Sequence, residues 1–180
     1  MELNYALDEN DFLEYQLYTA SKSKNIRNKR RMSLTIVIVF FLILLISKYN
    51  STESFPIFLL LIYIALIVAY KFYETYRYKN HFKKFINENY KERFGIMSKL
   101  NFSEAQIIEE SELGESKINY ESLAEINETK NYYFLKLITS QSLIIPKNKI
   151  QDIQQFKSKL DEIESKYNLK RNVDLDWKWK

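Results

Sequence analysis

Two long apolar runs limit what this chain can fold into more than any other feature. The first extends from Met32 to Ile46 and the second from Phe55 to Tyr70, and neither contains a charged residue. Neither run carries the polar stripe at helical spacing that a helix on a soluble bundle would show. With their flanking residues, both reach the ~20 residues that a helix needs to cross a bilayer. The sequence therefore predicts two transmembrane helices, over about 32–49 and 55–73.

The short segment between the runs and the cations around them predict how the spans are arranged. Only "SKYNSTES" separates the two helices, so we expect an antiparallel transmembrane hairpin at 32–73, with Ser54 as a cap and Pro56 in the first turn of the second helix. The turn contains one cation, Lys48, whereas eleven lie outside the hairpin: Lys22, Lys24, Arg27, Lys29, Arg30 and Arg31 before it, and Lys71, Arg77, Lys79, Lys83 and Lys84 after it. Because Lys and Arg resist translocation, both termini are predicted to be cytoplasmic.

The same eleven cations are our candidate contacts for anionic lipid headgroups at the cytoplasmic surface. A nucleic-acid-binding patch is the alternative interpretation of such a cluster. A cation cluster that touches a membrane span is more often an orientation signal, so we predict the lipid bilayer as a partner and no nucleic acid.

The segments that flank the hairpin have periodicities of their own. Residues 1–31 begin with a strand pattern from Leu3 to Leu7, after which Asp8 caps a helix that we expect to continue over 9–31 into the membrane. After the second span, aromatic and apolar residues recur every three to four positions, which predicts a cytoplasmic helical extension over 74–94, ended by Gly95.

From residue 95 onward the apolar residues alternate, which is typical of strands. The pattern predicts a small antiparallel β-sheet domain over 95–170, with Pro146 closing the last strand. A single apolar stripe from Ile153 to Tyr167 predicts a C-terminal α-helix that seals the sheet. The tail, 171–180, could add an edge strand, lay Trp177 and Trp179 on the bilayer surface, or be only partly ordered. The predicted fold class is α+β.

The sequence offers little that resembles catalytic or metal-binding chemistry. There is no Cys, and His81 is the only imidazole, so a zinc site is not expected. The acidic cluster Glu109, Glu110, Glu112 and Glu115 lacks the ordered spacing of a calcium loop and is interpreted as a solvated turn. Phosphate-binding and nucleophile motifs are absent from the sequence. We therefore predict no enzyme activity, no cofactor and no metal.

The order of these features resembles the YcxB-like family of bacterial membrane proteins. The resemblance includes "DFLEYQLYTASKSK", the basic stretch, the two apolar runs and the segment from Gly114 to Ile150. Its most specific matches are Gly114, Glu115 and Ser116 at a turn, Tyr132, Tyr133 and Phe134 in a strand, and Ile145, Pro146 and Lys147 at a strand end. Tyr120 stands where many members carry Trp. The resemblance implies a pleckstrin-homology-like sheet after the hairpin, which the strand at residues 3–7 joins, and it offers no established catalytic residues.

These inferences lead to three hypotheses about function. The first is a non-catalytic protein of the bacterial inner membrane whose cytoplasmic β domain binds a protein partner or senses something at the membrane surface. The second is an immunity protein that protects the producing bacterium from a cognate toxin. The third is a small oligomeric channel or an accessory subunit of a transporter. Whether the protein forms a homo-oligomer is left open by the sequence.

Overall fold

The computed structural model describes residues 1–49 and 57–180, so the predicted cap at Ser54, the first-turn Pro56 and the start of the second span at Phe55 lie outside the described residues. The chain divides into two compact units. The β unit consists of Met1–Tyr15 and Ile86–Lys178, and the helical unit consists of Gln16–Phe85 and Trp179–Lys180.

The helix predicted over 9–31 is two helices, α1 over Glu9–Lys22 and α2 over Lys24–Tyr49. Its start is confirmed, because the Asp8 carboxylate accepts the main-chain N–H groups of Asn10 and Asp11 at 2.8 and 3.0 Å. The prediction of one continuous helix is wrong at Ser23. The Ser23 hydroxyl accepts the N–H of Ile26 at 3.4 Å, as a cap for a new helix does.

The third helix, α3, covers Ile57–Asn89 and continues beyond the second apolar run as predicted. It ends six residues before Gly95, which was the predicted end, and the chain then passes through a turn of 3₁₀-helix over Lys91–Arg93. Gly95 follows that turn with φ of 75°, a left-handed conformation that favours glycine.

Side-chain contacts show that α2 and α3 are antiparallel neighbours. The Ser33 hydroxyl bonds to the Tyr70 hydroxyl, and the rings of Phe41 and Tyr63 stack with centroids 5.0 Å apart. Residue numbers rise along one helix as they fall along the other, which is the arrangement expected for a helical hairpin.

Four strands of the β unit form sheet A in the order β1-β2-β3-β4, with every neighbouring pair antiparallel. Their bounds are Glu2–Ala6 for β1, Met97–Phe102 for β2, Gln106–Ser111 for β3 and Gly114–Asn119 for β4. The strand predicted near the N-terminus therefore joins the sheet, as an edge strand beside β2.

Four more strands form sheet B in the order β7-β6-β5-β8. Their bounds are Leu123–Thr129 for β5, Tyr132–Leu137 for β6, Ser142–Pro146 for β7 and Lys170–Asp174 for β8. The expectation of one antiparallel sheet differs from the structure, because there are two sheets and β8 runs parallel to β5. The sequence did not reveal β5, since a register shift between Leu123 and Glu125 breaks its alternation.

A C-terminal helix, α4, covers Ile153–Tyr167 and packs on the core that the two sheets share. Its stripe buries Phe156, Leu160 and Ile163, and the Phe156 ring meets Tyr133 of sheet B edge-to-face with centroids 5.3 Å apart. Burial of each such side chain stabilises the fold by roughly 1.5–3 kcal/mol. The predicted seal of the sheet by this helix is therefore present.

The first half of α1 packs on sheet B through a mixed aromatic and polar contact. Tyr15 lies with its ring centroid 5.5 Å from that of Phe134, and the Tyr132 hydroxyl donates to the Asp11 carboxylate at 2.9 Å. Lys149 donates to the same carboxylate at 3.1 Å. Strand β6 is therefore buried on both faces, with Tyr133 toward the core and Phe134 toward α1.

Candidate functional site

The apolar residues of α2 and α3 are exposed rather than buried. Two described segments, Lys24–Ser47 and Ile57–Asn89, are long and apolar enough to cross a membrane. In the most apolar 18-residue stretch of each segment, 0% and 6% of the residues are buried. The apolar helix of a soluble core would be mostly buried. Among the Met, Ile, Val, Leu and Phe side chains of these two helices, the most exposed are Met32, Ile36, Phe40, Ile43, Ile46, Ile57, Phe58, Leu61 and Phe72.

The cations predicted to contact headgroups are mostly on the surface. Ten of the eleven are exposed: Lys22, Lys24, Arg27, Lys29, Arg31, Lys71, Arg77, Lys79, Lys83 and Lys84. The exception is Arg30, whose side chain keeps 14% of its exposure. The structure therefore leaves ten of these positions accessible and gives Arg30 a different environment.

Arg30 lies in a cluster formed by α2, α3 and the last two residues of the chain. Its Nε is 3.2 Å from Oε2 of Glu74, a side chain that is 1% exposed. Its guanidinium lies 4.7 Å from the centroid of the Trp179 ring and 5.6 Å from that of Tyr78. The Trp179 indole N–H donates to the main-chain oxygen of Thr75 at 3.2 Å, which fixes the ring over the guanidinium.

The cluster around Arg30 neutralises a buried carboxylate. Lys71 adds a second, more exposed cation 3.6 Å from the same oxygen of Glu74, while the other oxygen, Oε1, has no hydrogen-bond partner among the described residues. An unpaired buried carboxylate costs several kcal/mol, so Arg30 is the residue that makes this position tolerable for Glu74. Sequence reasoning missed Glu74 and the contact of Trp179, because both depend on packing between distant segments.

The β unit contains a cleft of ≈280 Å³ against sheet A. Its lining includes Tyr5, Ser98, Glu109, Ser111 and Ser116 from the four strands of that sheet, together with Arg93, Leu113 and Ser142. Burial raises the pKa of the Glu109 carboxyl, although the charge of Arg93 and a hydrogen bond from Ser98 oppose that rise. Burial also raises the pKa of the Tyr5 hydroxyl, with a further contribution from the charge of Glu109.

The other residues weighed from the sequence occupy ordinary positions. His81 is exposed on α3, with its ring edge-to-face to Phe82. In the acidic cluster, Glu110, Glu112 and Glu115 are exposed as a solvated turn would have them, whereas Glu109 is partly buried. Across residues 1–49 and 57–180, no group of three or more His, Asp or Glu is arranged to hold a metal ion.

A network of charges holds β8 against α4 and β5. The Arg171 guanidinium bonds to Asp161 and, at 3.0 and 3.3 Å, to Glu164 and Glu128. Burial alone would raise the pKa of Glu128, but hydrogen bonds from Lys147 and Arg171 outweigh it and hold that pKa below its usual value. For Arg171, burial is likewise outweighed by its three carboxylates, and its pKa is raised. This network positions the strand.

Comparison with protein families gave a match for one segment of the chain. Residues 102–160 match the family model described as YcxB-like protein. This segment runs from the end of β2 into α4, so the resemblance inferred from the sequence is confirmed there. Comparison with curated proteins and with solved structures gave no match.

Proposed function

We propose, from the YcxB-like match and the exposed apolar helices, that this is a non-catalytic protein of the bacterial inner membrane. In this proposal α2 and α3 span the bilayer as a hairpin, and the β unit binds a protein partner at the cytoplasmic surface. The observation that carries the proposal is the exposure of the two helices, because 0% and 6% of the residues in their most apolar stretches are buried.

The energy of insertion supports a spanning hairpin. The eleven consecutive Ile, Val, Phe and Leu residues from Ile36 to Ile46 each favour insertion by roughly 0.3–0.6 kcal/mol near the bilayer centre, about 3–7 kcal/mol together. The hydroxyls of Ser33 and Tyr70 bond to each other across the helix pair, so neither polar group needs a partner from the lipid. Glu74 is neutralised by Arg30 and is near the end of the second apolar run.

The orientation follows from the exposed cations. Lys and Arg resist translocation, and the ten exposed cations flank the ends of the two spans that are joined to the β unit. With those ends on the cytoplasmic side, both termini are cytoplasmic and the segment that connects the two spans is outside. The aromatic rings of Tyr73 and Tyr76, both exposed, suit the headgroup layer on that side.

The architecture of the β unit supports a binding role. Two packed sheets of four strands, with a C-terminal helix over their shared core, agree with the pleckstrin-homology-like domain that the resemblance implies. The parallel strand β8 would be an addition to that domain. The cleft on sheet A is the feature of the unit best suited to hold part of a partner, because binding sites are concave and carry a few placed polar groups.

Cysteine labelling tests the spanning hairpin, since the chain has no Cys of its own. We would introduce Ser51→Cys in the predicted turn and, as a matched control, Ser158→Cys on the exposed face of α4. A membrane-impermeant maleimide added to intact spheroplasts should label Ser51→Cys at once and Ser158→Cys only after lysis. Labelling of both before lysis, or of Ser158→Cys alone, would contradict the proposed topology.

A further inference from the structure

The inner face of sheet A changes from apolar to polar along its strands. On β2, the inward positions are Phe102, Leu100 and then Ser98; on β3 they are Ile107, Glu109 and then Ser111. The apolar members belong to the core, and the polar ones line the cleft. Because alternate residues share one face of a strand, all of these side chains are on the core-facing side.

Strand register brings the polar members together. Tyr5 is opposite Ser98, and Ser98 is opposite Ser111 on the next strand. Glu109 is opposite Ser116. Polar groups at core-facing positions lower stability unless they are hydrogen-bonded. Here Ser98 bonds to Glu109 and the Ser111 hydroxyl bonds to the Gly114 carbonyl, and the set lines an open cleft and not a packed core, as the polar groups of a binding site do.

The walls of the cleft offer main-chain groups as well as side chains. Residues Ser142 to Ile144 line one side and belong to β7, the edge strand of sheet B. Gly114 to Ser116 line another and belong to β4, the edge strand of sheet A. An edge strand presents N–H and C=O groups that can pair with an added extended segment.

The charges at the cleft favour a cationic ligand. Its lining includes the carboxylates of Glu109 and Glu115 and one guanidinium, that of Arg93. Two more carboxylates, Glu110 and Glu112, stand on the same β3–β4 hairpin and are exposed. Although Lys117 pairs with Glu115 at 3.0 Å, the hairpin keeps an excess of negative charge around the cleft.

We propose that this cleft binds an extended segment of a protein partner, with a lysine or arginine of that segment on the Glu109 carboxylate and its main chain along the edge of β7. A hydroxyl can donate one hydrogen bond and accept others, so the serines at 98, 111, 116 and 142 suit the alternating N–H and C=O groups of such a segment. Ser98, Ser111 and Ser142 keep capacity for this beyond the bonds that they make to Glu109, to the Gly114 carbonyl and to the Tyr15 hydroxyl. The inference rests on the proposed function and names the chemistry of the partner.

The test measures binding of fluorescently labelled peptides to the full chain in detergent. Each peptide mixture contains five-residue peptides with the same central residue and varied flanking residues. The mixture with central lysine should bind at least about 10-fold more tightly than those with central glutamate or leucine, as one charge-assisted contact requires. Glu109→Gln should weaken the lysine mixture by about the same factor. Glu110→Gln, the matched control on the opposite face of β3, should leave binding unchanged.

A second measurement needs no substitution. A carbodiimide should join the lysine peptides to Glu109 and not to Glu110, as mapped by mass spectrometry. Equal binding of the three mixtures, no binding of any, or coupling without preference for Glu109 would overturn the proposal. Competition by cadaverine as strong as by the lysine mixture would also overturn it, by assigning the cleft to a free amine. None of these outcomes affects the cysteine labelling, which tests the membrane hairpin separately.

Discussion

Replacement of Arg171 by methionine tests whether the charge network fixes β8. Arg171→Met keeps an unbranched apolar stem but removes the guanidinium and its bonds to Asp161, Glu164 and Glu128. The Asp161 and Glu164 carboxylates are 63% and 32% exposed, so each pair contributes about 0–1 kcal/mol. Glu128 is 8% exposed, and losing one partner of a buried charged group costs about 1–3 kcal/mol.

The expected loss is therefore about 1–5 kcal/mol, a sizeable part of the ~5–15 kcal/mol by which domains are stable. Urea unfolding of the detergent-solubilised protein, followed by circular dichroism, should show the midpoint fall by about 0.5–2.5 M at a slope of about 2 kcal/mol/M. Lys159→Met is the matched control, because Lys159 pairs with the exposed Glu162 of α4, 2.8 Å away, and with no other carboxylate of residues 1–49 and 57–180. It should not move the midpoint.

A second variant separates the charge from the packing of Arg171. In a Glu128→Gln background the buried charge is absent, so Arg171→Met should cost less than it does in the unsubstituted protein. Equal costs in the two backgrounds, or a midpoint for Arg171→Met no lower than for Lys159→Met, would refute the reasoning that the network stabilises β8.

Three further predictions concern the core, the pH dependence and the tail. Phe156→Ala, at a fully buried position, should lower the free energy of unfolding of the β unit by about 3–5 kcal/mol, measured by urea unfolding. Folding lowers the pKa of Glu128, so this carboxylate stabilises the fold above its unfolded pKa of about 4.3 and loses that contribution as the pH falls below this value. Glu128→Gln should therefore reduce the loss of stability at acid pH, measured by urea unfolding at a series of pH values. With Trp177→Phe, Trp179 is the sole indole, and Arg30→Met should then increase quenching of its fluorescence by acrylamide.

The long-range order of the apolar residues made most elements predictable. The two uncharged runs predicted α2 and α3, and the stripe from Ile153 to Tyr167 predicted α4, because each pattern persists over many turns. Local chemistry predicted the start of α1 at Asp8. The same chemistry could have revealed its end, since Ser23 is a residue that caps helices.

The rest depended on pairing between distant residues. Strand β5 lacked alternation because of its register shift, and nothing local to β8 shows that it runs parallel to β5. The cleft could not be predicted, because Glu109 and Glu110 are adjacent and chemically identical in the sequence. Strand register shows that Glu109 is the one that faces the cleft. The contacts of Arg30 could not be predicted either, because in the sequence Arg30 is one of eleven similar cations and its partner Glu74 is on another helix.

The pairing of β1 with β2 has a consequence for the order in which the protein is made. Leu3 is opposite Leu100, so the ribosome must synthesise both long helices before the first strand meets its partner. The N-terminal strand must therefore remain unpaired during that interval, and sheet A closes only afterwards. A fragment that begins after the hairpin would lack β1 and leave the β2 edge open, so an isolated β unit needs the N-terminal strand and first helix joined to it by a designed linker.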